Sequence, residues 1–129
     1  MRLLLDTHAF IWWVEGNPRL PSSLREQIEQ NAGSTRVSAA SVWELATLIR
    51  LGKLPLWPRL PVDGLPHLIE MAGFAELPVT ARHGETAGSL TGLHRDPFDR
   101  MLAAQALLED MTIVSRDEAL DDFGVRRLW

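Results

Sequence analysis

The chain has 129 residues, a formal net charge of −4 and no cysteine. The length fits one domain, residues 1–129, with a single core, and the absence of cysteine excludes disulfides, thiolate metal sites and a cysteine nucleophile. The acidic balance excludes a protein that coats nucleic acid by charge alone. It leaves room for carboxylates clustered around a metal ion. The basic residues are nearly all arginine, with Lys53 the one lysine. The apolar start from Met1 to Val14 is broken by Asp6 and His8, which does not fit a signal peptide. No stretch approaches a membrane span, so the expected setting is cytoplasmic.

In chain order, Leu3-Leu4-Leu5 predicts a short buried strand ending at Asp6. Thr7 to Val14 predicts a helix closed by Gly16-Asn17-Pro18. A second helix opens at Pro21-Ser22-Ser23, with Ser23 and Glu26 at capping-box spacing. Thr35 to Ser38 predicts the next strand, and Ser41 opens a third helix that ends at Gly52. The proline-rich run from Lys53 to Pro61 predicts a loop. Helix is expected over Val62–Ala72, strand over Phe74–Val79 and helix over Ala81–Leu90. Asp96-Pro97 starts the strongest helix, whose Met101-to-Leu108 stripe is expected in the core. Strand over Thr112–Ser115, a short helix over Asp117–Asp122 and strand over Val125–Leu128 complete the chain.

Strands alternate with helices and no hairpin signal occurs, which predicts an α/β fold. The expected form is a three-layer α/β/α sandwich around a mostly parallel sheet of about five strands. In such sheets sites form at the carboxyl ends of strands. Asp6, Glu44, Asp99 and Asp117 fall there, with Asp96 beside them. Each acid also has a local explanation. Ser41 to Glu44 has capping-box spacing, Asp96-Pro97 reads as a cap followed by proline at the first helical position, and Asp6 and Asp117 precede short helices. Taken singly, each reads as a cap. Taken as a set, the acids form a concentration of like charge that needs a cation. Oxygen ligands without cysteine favour Mg²⁺ or Mn²⁺, and such ions assist phosphodiester hydrolysis.

Four segments carry a family likeness: Leu4-Leu5-Asp6-Thr7-His8, Ser38 to Leu45, His94-Arg95-Asp96-Pro97-Phe98-Asp99-Arg100 with its alanine-rich continuation to Ala106, and Ile113 to Asp117. In this order they resemble the PIN-domain family, and most closely the VapC-type toxins of bacterial toxin–antitoxin pairs. The resemblance implies a Mg²⁺- or Mn²⁺-dependent ribonuclease. Its four acidic positions match Asp6, Glu44, Asp99 and Asp117, with Asp96 a possible accessory ligand. It also places Thr7 and Ser115 beside the site. Arg100 and Arg116 flank the acids and are weaker candidates for phosphate contact. An RNA substrate, a small antitoxin partner and a homodimer are implied as well.

A different class competes, a doubly wound regulatory or binding domain such as a phosphorylatable receiver, whose acids cap helices or bind Mg²⁺. Receivers need a lysine at a late strand end, and Lys53 follows the third helix instead. A phosphatase of the aspartyl type needs an acid two positions after Asp6, where His8 stands. His94 is expected to make local hydrogen bonds rather than to ligate. One of Trp12 and Trp13 is expected in the core, as is Trp43, while Trp57 and Leu56 are candidates for an interface.

Overall fold

The computed structural model describes residues 1–129. Its centre is a five-stranded sheet in the order β3-β2-β1-β4-β5, formed by β1 (Leu3–Leu5), β2 (Arg36–Ser38), β3 (Ala75–Leu77), β4 (Thr112–Val114) and β5 (Arg126–Leu128). Every pairing is parallel, so the expected "mostly parallel" sheet is wholly so. The helices are α1 (Thr7–Glu15), α2 (Ser22–Gln30), α3 (Ala39–Arg50), α4 (Leu65–Met71), α5 (Ala81–Ser89) and α6 (Pro97–Glu109). Short 3₁₀ turns span Ala32–Ser34 and Glu118–Phe123. No helix is long and apolar enough to cross a membrane.

The two-residue period of a strand explains the layers. Leu3 and Leu5 of β1 join Val37 and Val114 in a core with Phe10, Ile28, Leu45 and Ile69 from α1 to α4. Leu4 and Ile113 face the other way, into a core with Leu102, Ala103 and Ala106 of α6 and with Leu120 and Phe123. The central triplet is fully buried, so its lack of alternation reflects cover on both faces. The edge strands depart from that pattern. Ala75 and Glu76 of β3 and Arg126 of β5 are exposed, and charge at an edge discourages pairing with another sheet.

Two expected caps form differently. Ser22 is already helical and Pro21 precedes it without a side-chain cap, so Ser23 lies inside the first turn and no Ser23–Glu26 box forms. Helix α3 starts at Ala39, capped by the Ser38 hydroxyl, which accepts from Ala40 N. Ser41 is therefore internal, and Glu44 is released from a capping role. Conversely, an unforeseen capping box opens α5. Thr80 Oγ1 accepts from His83 N, and His83 Nδ1 accepts from Thr80 N.

Three hydrophobic expectations also change. Trp43 is 68% exposed because it lies two residues from the buried Leu45, about 200° around the helix. Trp57 is buried, its indole N–H donating to Glu15 Oε2 at 2.8 Å, while Leu56 is exposed. Along α6, Leu102 to Ala106 are buried, but Leu107 points to solvent. Trp12 is the tryptophan of α1 that enters the core, and Trp13 lies half-buried against Phe74.

Candidate active site

The chain runs outward from β1 through β2 to β3, then returns across the sheet to β4 on the other side of β1. The strand order reverses at that point, and a crevice opens at the carboxyl ends of β1 and β4. Asp6 follows β1 directly, and its backbone N–H donates to Val114 O of β4 at 3.1 Å. Asp117 stands three residues beyond Val114. The two acids line one cleft with His8, Trp12 and Arg116.

Most of the acids do cap helices. Asp6 Oδ1 accepts from Ala9 N at 2.8 Å, Asp117 Oδ1 from Ala119 N at 3.0 Å, and Asp96 Oδ1 from Phe98 N at 2.8 Å and Asp99 N at 3.2 Å. Capping explains the local conformation and uses one oxygen of each carboxylate. It does not explain why the caps converge. Glu44 projects from the second turn of α3 and accepts a hydrogen bond from the Thr7 hydroxyl at the start of α1. Asp99, in the first turn of α6, lies 2.7 Å from His94 Nε2 through Oδ2, and Asp117 Oδ2 lies 3.9 Å from the same nitrogen. One ligand atom from each of His94, Asp99 and Asp117 lies within 4.8 Å of the other two. Asp6 and Glu44 stand outside that tight group; Asp6 is coupled by charge to Asp117, and Glu44 to Asp6 and Asp96.

The electrostatics are those of an acidic cluster short of positive charge. Burial pushes the Asp99 carboxyl up to about 6, against the hydrogen bond from His94, and the charges of Asp96 and Asp117 add to the rise. Burial also raises Asp6, opposed by the Ser115 side chain and the Ala9 N–H, with the charge of Asp117 adding to the rise. Burial raises Glu44, opposed by the Thr7 hydroxyl, with Asp96 and Asp6 adding to the rise. His94 is raised chiefly by its hydrogen bond to Asp99. No lysine or arginine forms an ion pair with Asp6, Glu44, Asp99 or Asp117. Such a set of oxygen ligands and one imidazole fits a divalent cation, which would offset the gathered negative charge.

The flanking residues divide by role. Thr7 and Ser115 are buried. Ser115 Oγ accepts from Asp117 N at 3.0 Å, so it orients both Asp117 and Asp6. Arg116 lines the cleft, its guanidinium stacked 5.0 Å from the centre of the Trp12 ring. Arg100 is occupied elsewhere. Nε donates to Ala87 O and Nη1 to His94 O, both at 3.0 Å, and Nη2 donates to Leu90 O. It closes the carbonyl end of α5 and ties down the linker to α6. Sequence reasoning missed His94 as a member of the cluster. The signal lay five residues before Asp99, yet nothing in a linear pattern shows a linker folding back onto its own helix.

The PIN domain family model matches residues 3–125. The chain belongs to the PIN-domain family. No curated protein matches it significantly. Among solved structures, it is similar to the DNA-bound VapBC of Salmonella typhimurium, with a TM-score of 0.73 and 19% identity over 99% of this chain and 97% of that one. It is also similar to VapBC2 of Rickettsia felis bound to a promoter DNA fragment, with a TM-score of 0.72 and 16% identity over 100% and 99% of the two chains. A third likeness is to FitAcB of Neisseria gonorrhoeae, with a TM-score of 0.66 and 21% identity over 98% and 96%. At these identities the likeness is one of fold. The PIN membership removes the competing receiver reading.

Proposed function

We propose that this PIN domain is a divalent-metal-dependent endoribonuclease, acting in the cytoplasm as the toxin of a toxin–antitoxin pair. The observation that carries the reading is that, in a PIN fold, Asp6 and Asp117 line one cleft at the ends of β1 and β4 while Asp117 also groups with Asp99 and His94; Glu44 joins them through Thr7 and its charge on Asp6. Residues 1–129 serve as one nuclease unit.

In this reading Asp6, Asp99 and Asp117 hold Mg²⁺ or Mn²⁺, with Glu44 in support and Asp96 as an accessory acid. A bound divalent ion supplies positive charge to a phosphoryl oxygen and acidifies water. The rest falls to the chain. Glu44, oriented by Thr7, accepts the proton that the attacking water gives up. The water oxygen forms the new bond to phosphorus while the P–O bond to the leaving ribose oxygen breaks, and that oxygen takes up a proton from solvent. Arg116, beside the cleft, contacts a substrate phosphate through its planar fork. Ser115 holds Asp6 and Asp117 in register.

An antitoxin partner is supported by the likeness to the VapBC, VapBC2 and FitAcB structures. The exposed Trp43, packed edge-on to Phe98 with ring centres 5.0 Å apart, supports a protein interface and with it a homodimer. The test is cleavage of end-labelled RNA and DNA of the same sequence by the purified chain. RNA cleavage with Mg²⁺ or Mn²⁺ and none in EDTA is expected. Cleavage of DNA alone would refute the substrate class, and undiminished cleavage in EDTA would refute the metal dependence.

A further inference from the structure

We infer that His94 is a direct nitrogen ligand of the bound ion, completing a His-Asp-Asp centre with Asp99 and Asp117 that favours Mn²⁺ over Mg²⁺. The inference rests on the metal-site reading above and names a ligand and an ion preference that the acids alone do not supply.

Three observations carry it. The first is convergence. His94 Nε2 lies 2.7 Å from Asp99 Oδ2 and 3.9 Å from Asp117 Oδ2, carboxylates contributed by two different elements. Only the first is a hydrogen bond; the second sets a further carboxylate oxygen, from another element, beside the same nitrogen. The second is size. Small divalent ions hold ligands at about 2.0–2.1 Å, which sets adjacent ligand atoms about 2.9 Å apart and opposite ones about 4.2 Å apart. The observed separations fall close to that range, with all three ligand atoms inside 4.8 Å.

The third is support. The linker that carries His94 is fastened at two carbonyls, those of Leu90 and of His94 itself, by Arg100, which also holds Ala87 O of α5. Phe123 underlies the same linker. The Arg100 guanidinium lies 5.5 Å and the His94 ring 6.0 Å from the centre of its ring. Gly92 approaches so closely that a Cβ there would stand 3.1 Å from Phe123 Cε1. A solvated surface histidine needs no such scaffold. Fixing of the groups around a ligand is what a metal site requires.

The ion preference follows from ligand chemistry. Mg²⁺ is hard, selects oxygen and keeps its waters. An imidazole nitrogen shifts a site toward first-row transition ions. The inference therefore predicts directly coordinated nitrogen on Mn²⁺.

The test uses the intact chain loaded with Mn²⁺ and read by pulsed electron paramagnetic resonance, beside calorimetric titrations with Mn²⁺ and Mg²⁺. The unsubstituted protein is expected to show ¹⁴N coupling, converted to ¹⁵N coupling when only the histidines carry ¹⁵N. His94→Gln is expected to lose the coupling and at least about tenfold of the Mn²⁺-over-Mg²⁺ preference, whereas His67→Gln, altering an exposed histidine of α4, keeps both. Tight Mn²⁺ binding without nitrogen coupling, or coupling that survives His94→Gln, overturns the role of His94 and leaves the acidic site standing. No binding of either ion overturns the metal-site reading and this inference together.

Discussion

The two sides of the cleft are built differently. Asp6 and Glu44 sit on regular elements of the fold, at the end of β1 and within α3, and each is held by neutral hydrogen-bond donors, Ala9 N and Ser115 for one and Thr7 for the other. Asp99, Asp117 and His94 sit at a helix start, a 3₁₀ start and a linker; Asp99 and His94 hold each other at 2.7 Å, and the free oxygen of Asp117 stands 3.9 Å from the same imidazole. The first side is set by the sheet before any ion arrives. The second is where an ion replaces contacts the residues make among themselves, so ion binding should be felt there first.

The hardest way to break the comparison is to remove charge from the fixed side. Asp6→Asn keeps the oxygen that caps α1 while abolishing the negative charge. RNA cleavage is expected to fall by at least about a hundredfold, because outer-shell partners of metal sites alone account for about 10–100-fold. The melting temperature should not fall, since a desolvated carboxylate is removed. Cleavage kinetics beside thermal melts check both halves.

On the adjustable side, Asp99→Asn is expected to weaken Mn²⁺ binding at least about tenfold by calorimetry. It should also remove a pH dependence. The Asp99 carboxyl is raised to about 6 from 3.8, so the folded chain binds a proton more tightly than the unfolded one. Stability is then lost as pH rises from about 4 to about 6. The raised His94 acts in the same sense, its contribution being lost as pH rises through its folded value. The ion-free protein should therefore melt a few degrees higher at about pH 5 than at about pH 7.5, Asp99→Asn should flatten that difference, and saturating Mn²⁺ should reverse it.

Gly92→Ala tests the linker. Gly92 has φ of +140°, which L side chains rarely adopt, and a Cβ there would press on Phe123 at 3.1 Å, so the substitution should displace the linker and weaken Mn²⁺ binding severalfold, costing about 1 kcal/mol of stability. The hydrogen bond from Thr7 to Glu44 should be untouched, which a crystal structure of the variant would show. The smallest effect is expected at Trp43. As an exposed residue, Trp43→Ser should change stability by no more than about 0.5 kcal/mol, whereas Leu5→Ala in the buried β1 should cost about 2–5 kcal/mol in denaturant titrations.

Much of this was legible in the sequence because the signals are local. The apolar triplet Leu3–Leu5, the strand expected over Thr112–Ser115 and the Asp96-Pro97 helix start need only neighbouring residues to be read; the first and last fall where expected, and the second forms one residue shorter, as Thr112–Val114. The spacing of Ser41 to Glu44 places the α3 cap at Ser41, whereas the helix starts at Ala39 directly after β2 and is capped by Ser38, a boundary set by where the strand ends. Trp43 was misplaced through its residue type, although its position opposite Leu45 was available from helical periodicity. His94 joins the cluster only through a linker fastened by Arg100 and Phe123, tertiary contacts with no sequence period.

The central claim is that the gathered acids hold a divalent ion at the β1/β4 crevice. Crystals grown with Mn²⁺ and measured at its absorption edge test it directly. The account predicts an anomalous peak at ligand distance from the carboxylates of Asp99 and Asp117, on the side facing Asp6. A map at saturating Mn²⁺ with no peak there would contradict it.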